Sequence, residues 1–210
     1  MDNEMNVDSD SYRLLCSPLI YCSCCNDHGD RELINCTRCM RFYHYDCHIP
    51  SVDPELASPL IKRWRCTLCQ DTLNIRLHAN VLLNKDIKAY FVSGYSEQRI
   101  IEYILMVLYC LNEDSYHYRE CLNIDMYPRY YEIVSDPISL NDIKWRLEYT
   151  TLYISFIELL KDINKVFTDG MFYYIEGDPY HESARQLQIT FFRMLRIWLP
   201  KIDLTILQNP

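Results

Sequence analysis

Residues 22–47 read CSCCNDHGDRELINCTRCMRFYHYDC, and CTLC follows at 66–69. Potential metal ligands recur here in pairs: Cys22-x2-Cys25, Cys36-x2-Cys39, His44-x2-Cys47 and Cys66-x2-Cys69. Two ligands separated by two residues lie close enough on a tight turn to grip one tetrahedral zinc together. Four such pairs make two complete four-ligand sites with no open position. A closed site leaves no room for an activated water, so the expected metal is a staple and function lies in the surface it shapes. A single Cys-x2-Cys would be compatible with ordinary buried thiols; four pairs in series are not. Cys24 is the ambiguous member, and Cys22 with Cys25 is preferred because that pair repeats the common spacing. Cys16, Cys110 and Cys121 have no paired partner and are read as non-ligands.

The remaining composition bounds the problem. The chain has 210 residues, of which 49 % are hydrophobic, so a packed core is expected and wholesale disorder is not. The longest apolar run, Ile100 to Leu111, is broken by Glu102 and is too short to cross a bilayer. The opening Met1-Asp2-Asn3-Glu4 is polar and acidic, the opposite of a secretory signal. Eleven cysteines without such a signal point to a reducing compartment and to metal rather than disulfides. A net charge of −8 argues against nucleic acid phosphates as the main partner and suits a basic one. Lys62-Arg63 with Arg65 is too short to form a basic stripe for DNA.

Texture divides the chain into a polar leader (1–20), a ligand-punctuated module (21–70), a mixed linker (71–93), a helical region (94–203) and a tail (204–210). About fifty residues cannot bury enough apolar surface to fold unaided. Structural zinc supplies roughly 10–16 kcal/mol per site, enough to hold such a module together. Beyond a stretch of helical character around Leu82 to Phe91, four long helices are expected. The first is capped by Ser96 and carries Ile100, Ile101, Ile104, Leu105, Leu108 and Leu111 on its apolar side. The second starts at Ser139 with Asp142 in a capping-box-like arrangement and packs Leu140, Ile143 and Leu147. The third spans about Tyr153 to Phe172 with Ile157, Leu160, Ile163 and Phe167 inward. The fourth runs from about Tyr180 to Leu199, with Ala184, Leu187, Phe191, Met194, Leu195 and Trp198 at three-four spacing, and Pro200 stops it. Four such helices make a bundle. Asn112 to Pro137 shows no convincing helical period and is far longer than ordinary bundle loops. Its aromatic content says that it folds back as one wall of a cavity.

Four cysteines, one histidine and three cysteines, with Trp64 two residues before Cys66, resemble the plant homeodomain (PHD) finger over Tyr21 to Gln70. A RING finger places its histidine fourth. The resemblance implies interleaved sites: Cys22, Cys25, His44 and Cys47 on one zinc, and Cys36, Cys39, Cys66 and Cys69 on the other. It also implies binding of the histone H3 N-terminus as an added strand beside Glu32-Leu33-Ile34-Asn35. Tyr21 and Phe42 offer half an aromatic cage for a methylated lysine, whereas Asp27, Asp30 and Glu32 offer carboxylates for an unmodified one. The carboxylate reading is preferred, because two rings without tryptophan make a poor cage. The alternative is that Phe42 is core and the acids belong to a solvated loop.

The run Pro128-Arg129-Tyr130-Tyr131-Glu132-Ile133-Val134 with Asp136-Pro137-Ile138 resembles a bromodomain, as do residues 143–148 and 162–167. Coverage extends over about Ser93 to Pro200. The expected architecture is a small zinc-stapled cross-brace module with little regular structure, followed by an all-α left-handed four-helix bundle. The tandem is similar to the C-terminal half of the transcription intermediary factor 1 family or the speckled-protein nuclear-body family. The bromodomain family binds acetyl-lysine through an asparagine near the end of the third helix. Here that position holds Tyr174, preceded by Tyr173. Tyr130 matches the tyrosine that holds a pocket water, and Tyr180 occupies the gatekeeper position. The usual apolar shelf is not recognisable around His117-Tyr118-Arg119.

These resemblances imply a nuclear chromatin reader in transcription regulation. The finger binds a histone H3 tail, and the bundle either reads an acetyl-lysine on an acetylated histone or supports the finger. A second reading is a SUMO-ligase-type adaptor, in which the finger recruits a conjugating enzyme to modify the bundle at lysines such as Lys144, Lys161 or Lys165. Neither reading assigns catalytic residues to this chain. His78, His117, His181, Asp125 and Asp162 show no catalytic spacing, and no glycine-rich phosphate loop is present.

Overall fold

The computed structural model describes residues 21–27, 29–57, 63–70, 95–149, 155–200 and 202–207. The leader and the linker, with its expected helical stretch, lie outside the described residues. The front module contains a two-stranded antiparallel sheet, β1 (Leu33–Asn35) and β2 (Phe42–His44), with Leu33 opposite His44 and Asn35 opposite Phe42. Cys22 bridges to the other side of β2 at Phe42. A short helix α1 (Pro54–Ala57) and a 3-10 turn at Thr67–Cys69 complete the module.

Its core is one aromatic knot. Tyr43 is fully buried and meets the rings of His48 and Trp64 edge-on at 5.4 and 6.1 Å, while His48 and Trp64 lie 4.9 Å apart. His48 accepts from the Thr67 N–H at Nε2 (3.0 Å) and lies 2.7 Å from the Pro50 carbonyl at Nδ1. A ring that must accept at Nε2 and donate at Nδ1 is neutral. Burial enforces this, pushing the His48 pKa down to about 4.

Four helices form the bundle: α2 (Tyr95–Cys110), α5 (Leu140–Tyr149), α6 (Phe156–Tyr173) and α7 (Pro179–Trp198). Between α2 and α5 lie α3 (Asn112–Ser115), a 3-10 turn (Tyr116–Tyr118) and α4 (Pro128–Ile133). The expected apolar stripes face the core: Ile100, Ile101, Ile104, Leu105 and Leu108 on α2 are fully buried, as are Leu160, Ile163 and Phe167 on α6. Asp142 and Ser139 exchange hydrogen bonds as a capping box at the start of α5. Ser155 caps α6 by accepting from Ile157 N, and Asp178 caps α7 by accepting from Tyr180 N.

Three expectations need correction. The segment from Asn112 to Pro137 carries α3, the 3-10 turn and α4, elements too short to produce a periodic signal; Pro128 at the first position of α4 was its one legible start. The first long helix begins at Tyr95, so Ser96 lies inside its first turn rather than at its cap. Leu204–Leu207, expected within a tail, forms a 3-10 turn on α6: Leu207 is buried, and its carbonyl accepts from Asn164 Nδ2 at 2.8 Å.

The two halves are joined by buried polar contacts. Arg119, from the segment after α3, brings Nη2 to the Cys24 carbonyl of the front module, to the Tyr109 carbonyl (2.8 Å) and to Ser115 Oγ (2.9 Å). Its guanidinium also stands 5.0 Å over the Tyr109 ring. At a second point Ser51 N donates to Glu148 Oε1 (3.0 Å), and Lys144 Nζ donates to Ser51 Oγ (2.6 Å) and to Glu148. The Thr67–Cys69 turn packs directly on α2.

Stranding the Cys24 carbonyl costs roughly 1–3 kcal/mol, while the Tyr109 carbonyl keeps Ser115 Oγ as a donor at 3.5 Å. Arg119→Met, which keeps the bulk and removes the donors, is therefore expected to lower stability by about 1–3 kcal/mol. Calorimetry should resolve separate transitions for the two halves in the variant and a single one in the parent. An unchanged single transition would show that Arg119 does not couple them.

Candidate metal centres and the tyrosine-filled pocket

Two groups of donor atoms come together in the front module: Cys22, Cys25, His44 and Cys47, and Cys36, Cys39, Cys66 and Cys69, each set within 4.8 Å of one another. This is the interleaved arrangement that the resemblance implied. Zinc fits both groups by distance. With Zn–S near 2.3 Å and Zn–N near 2.05 Å, a regular tetrahedron has S···S edges of about 3.8 Å and S···N edges of about 3.6 Å. Cys39 and Cys66 Sγ lie 3.8 Å apart, and His44 Nδ1 lies 3.3 and 3.6 Å from Cys25 and Cys47 Sγ.

Backbone N–H groups favour the thiolate at two of the ligands, Cys22 and Cys36. His44 N points at Cys22 Sγ (3.4 Å) and Cys66 N at Cys36 Sγ (3.3 Å). Burial pushes the Cys36 thiol up, but the backbone N–H groups of Cys39, Cys66 and Arg38 outweigh it and bring it down to about 6. By this donor set each cluster would hold one structural zinc ion, with four protein ligands and no position left for water. Cys24 is buried yet belongs to neither group, which resolves the ambiguity inside the first pair. Cys110 and Cys121 likewise stand outside both groups.

The residues named for a peptide surround β1. Ile34 is buried and anchors the strand, while Leu33, Asn35 and Phe42 are half-buried. Glu32 and Asp30 are exposed. Asp27 is less available: it accepts from Gly29 N at 2.9 Å and pairs with Arg31 at 3.6 Å, which itself reaches Asp46 at 3.0 Å. The Gly29 N–H, with Arg31 beside it, lowers the Asp27 pKa. Tyr21 is exposed at the module's edge.

In the bundle the four tyrosines gather with a histidine. Tyr173 ends α6, Tyr174 is its C-cap residue, and Tyr180 opens α7. His117 stacks on Tyr180 at 3.8 Å and places Nε2 2.7 Å from the Tyr174 hydroxyl. Tyr130 meets Tyr173 edge-on at 5.0 Å. Tyr118 passes beneath and donates to the Tyr180 carbonyl at 2.6 Å. What remains between Tyr118, Tyr130, Tyr174, Ile138, Val166 and Gly170 is a cavity of about 20 Å³. That is room for a single water. His117 is the participant that sequence reasoning missed; its partners lie 57 and 63 positions downstream, and nothing local marks the contact.

Comparison with known proteins follows this division. A PHD-finger family model matches residues 22–69, and a bromodomain family model matches residues 106–186. The chain carries a PHD finger followed by a bromodomain. It is 29 % identical over 175 residues to E3 ubiquitin-protein ligase TRIM33 of Danio rerio, covering 80 % of this chain and 14 % of that protein. To Tripartite motif-containing protein 66 of Homo sapiens it is 25 % identical over 191 residues, covering 86 % of this chain and 13 % of the relative. Nucleosome-remodeling factor subunit NURF301 of Drosophila melanogaster is 21 % identical over 178 residues, 84 % of this chain and 6 % of its own length. The chain thus spans only a small part of these relatives. PHD finger and bromodomain are both reader modules, and together they point to a chromatin reader. Among the described residues no helix is long and apolar enough to cross a membrane.

Two outcomes test this geometry. Elemental analysis should find two zinc equivalents per chain; strong chelation should unfold the PHD finger and lower the melting temperature of the bromodomain packed on it. Gly170→Ala probes the filled pocket. A Cβ there would meet Tyr118 Cε1 at 2.6 Å and its hydroxyl at 2.8 Å. Overpacking costs about 1–3 kcal/mol against a helix-propensity gain near 1 kcal/mol, so a net loss of up to about 2 kcal/mol is expected by denaturant titration. A gain in stability would mean that Tyr118 is loosely held.

Proposed function

We propose that this chain is a nuclear reader of unmodified or weakly methylated histone H3 tails. In this reading the PHD finger docks the peptide, and the bromodomain serves as its structural support rather than as an acetyl-lysine receptor. The observation that carries the docking half is the lone pairing of β1. Among the described residues β1 pairs with β2 alone, so its outer edge is open to an added strand. Asp30 and Glu32, exposed beside that edge and in no ion pair among the described residues, suit the basic residues of such a tail. Asp27 suits them less, because Arg31 already occupies it.

The second half rests on the 20 Å³ cavity. An acetamide head must displace water, make an oxygen contact and fit its methyl group; a space for one water does none of this. Tyr174, at the family's asparagine position, offers a phenol already engaged with His117. A supporting bromodomain accounts for the polar ties at Arg119 and Lys144. Of the lysines considered as modification acceptors, Lys144 is tied to Ser51 and Glu148, and Lys165 to Ser135 and Asp169; Lys161 alone is exposed. No catalytic role is assigned to either module.

Titration of isotope-labelled chain with H3 N-terminal peptides checks both halves. The unmodified peptide is expected to shift the amides of Leu33 to Asn35 at sub-millimolar concentration. Acetylating the peptide's downstream lysines should produce no shift at Tyr130, Tyr173 or Tyr174. Absence of any shift along β1 would remove the docking reading. Saturable shifts around Tyr174 with the acetylated peptide would restore the acetyl-lysine one.

A further inference from the structure

The four-sulfur metal group has a donor beside it that ligand spacing does not reveal. Of its members, Cys36 and Cys66 are fully buried, whereas Cys39 is exposed and Cys69 half-buried. Bound to zinc, all four are thiolates and the centre is net anionic, so a sulfur shut away from water needs a donor from the protein. Cys36 has one in the Cys66 N–H at 3.3 Å. Cys66 Sγ has Cys39 Sγ 3.8 Å away, but among the described residues no backbone N–H is directed at it.

Tyr43 answers that lack. Its ring is fully buried and held edge-on by His48 and Trp64 at 5.4 and 6.1 Å. Its hydroxyl is shut off from solvent and stands short of hydrogen-bond geometry with every group around it. The polar neighbours that act on that hydroxyl are Cys66 and Arg41, the residue before β2. A guanidinium only donates, so Arg41 can meet the phenol oxygen but cannot take its proton. The acceptor left for the proton is the Cys66 sulfur. A neutral thiol accepts weakly; a zinc-bound thiolate is an anion, and hydrogen bonds to ions are about twice as strong as neutral ones. Cys110 of α2 also lies near, but it belongs to neither metal group and is the weaker acceptor.

Packing alone does not account for the hydroxyl, because a phenylalanine would make the same edge contacts with His48 and Trp64. We propose that the Tyr43 hydroxyl donates to the Cys66 thiolate of the zinc-loaded centre and is a positioning residue for that ligand. Such donors around a metal typically contribute about 10–100-fold in affinity. The effect belongs to one centre only. His44, next to Tyr43 in β2, ligates with Cys22, Cys25 and Cys47, a set that the hydroxyl does not serve. The second centre is therefore an internal control.

The test uses the whole chain loaded with cadmium, which replaces zinc in thiolate sites and is observed directly by nuclear magnetic resonance, one signal for each centre. Tyr43→Phe keeps the ring and removes the donor. It is expected to move the signal of the four-sulfur centre and leave that of the histidine-containing centre in place. In chelator competition with zinc, the four-sulfur centre should weaken by about tenfold or more while the other is unchanged. Ile34→Val trims the same core at the residue opposite Tyr43 without touching the hydroxyl, and should hold both signals and both affinities near the parent's. Cys110→Ala should do the same. An unmoved four-sulfur signal with unchanged affinity in Tyr43→Phe would overturn the assignment. So would equal changes at both centres, or the Tyr43→Phe pattern appearing in Ile34→Val, since either would reduce Tyr43 to packing. The same pattern in Cys110→Ala would give the proton to Cys110 instead and sink the bond to Cys66.

Discussion

A tetrahedron of soft ligands about 3.8 Å on an edge is the constraint from which the rest of the molecule follows. The PHD finger has two strands of three residues and a knot of Tyr43, His48 and Trp64 for a core. So small a module gains too little from burial to offset the entropy of ordering its chain. Two zinc ions, at roughly 10–16 kcal/mol each, reverse that balance. The ligands also fix the geometry. Cys36 follows β1 directly and His44 ends β2, so the metals set the register of the sheet whose edge is open.

The junction with the bromodomain obeys a different logic. Arg119 and Lys144 are cations taken largely out of water, and such groups are tolerated only when hydrogen-bonded or paired. Here Arg119 is offered two carbonyls and a hydroxyl, while Lys144 has Glu148 and Ser51. Buried polar contacts of this sort specify one orientation, because sliding the modules would strand the Cys24 carbonyl and the partners of Ser51 together. A ligand on the finger therefore meets a surface whose position relative to α2 and α3 is set.

Much of this was legible in the sequence. Ligand spacing is local, and the two metal sets need only pairs two residues apart. The stripes of α2, α5, α6 and α7 repeat at helical period, and the Ser139–Asp142 box is written within four residues. The junction was not legible. Arg119 finds Cys24 across 95 positions and Ser51 finds Glu148 across 97, and no local pattern distinguishes an arginine that will be buried from one that will not. The α3–α4 segment was misread for a related reason: four- and six-residue helices complete barely one turn, too little for periodicity to register.

The position of Tyr174 shows how one change of residue type reorganises a pocket. An asparagine there would present an amide into open space, stable because water or a ligand satisfies it. A tyrosine carries a ring that needs apolar neighbours and a hydroxyl that needs a polar one. His117 meets the hydroxyl, and Tyr180, stacked on His117, extends the aromatic layer. Burial lowers the His117 pKa, so the ring rests neutral and stacks without the desolvation cost of a cation. Each member thus supplies what the next requires, and a cavity of about 20 Å³ is left among them. Replacing Tyr174 alone by asparagine would leave His117 without its phenol partner and Tyr180 still stacked on it. The filled state is therefore a property of the set of side chains and not of Tyr174 alone.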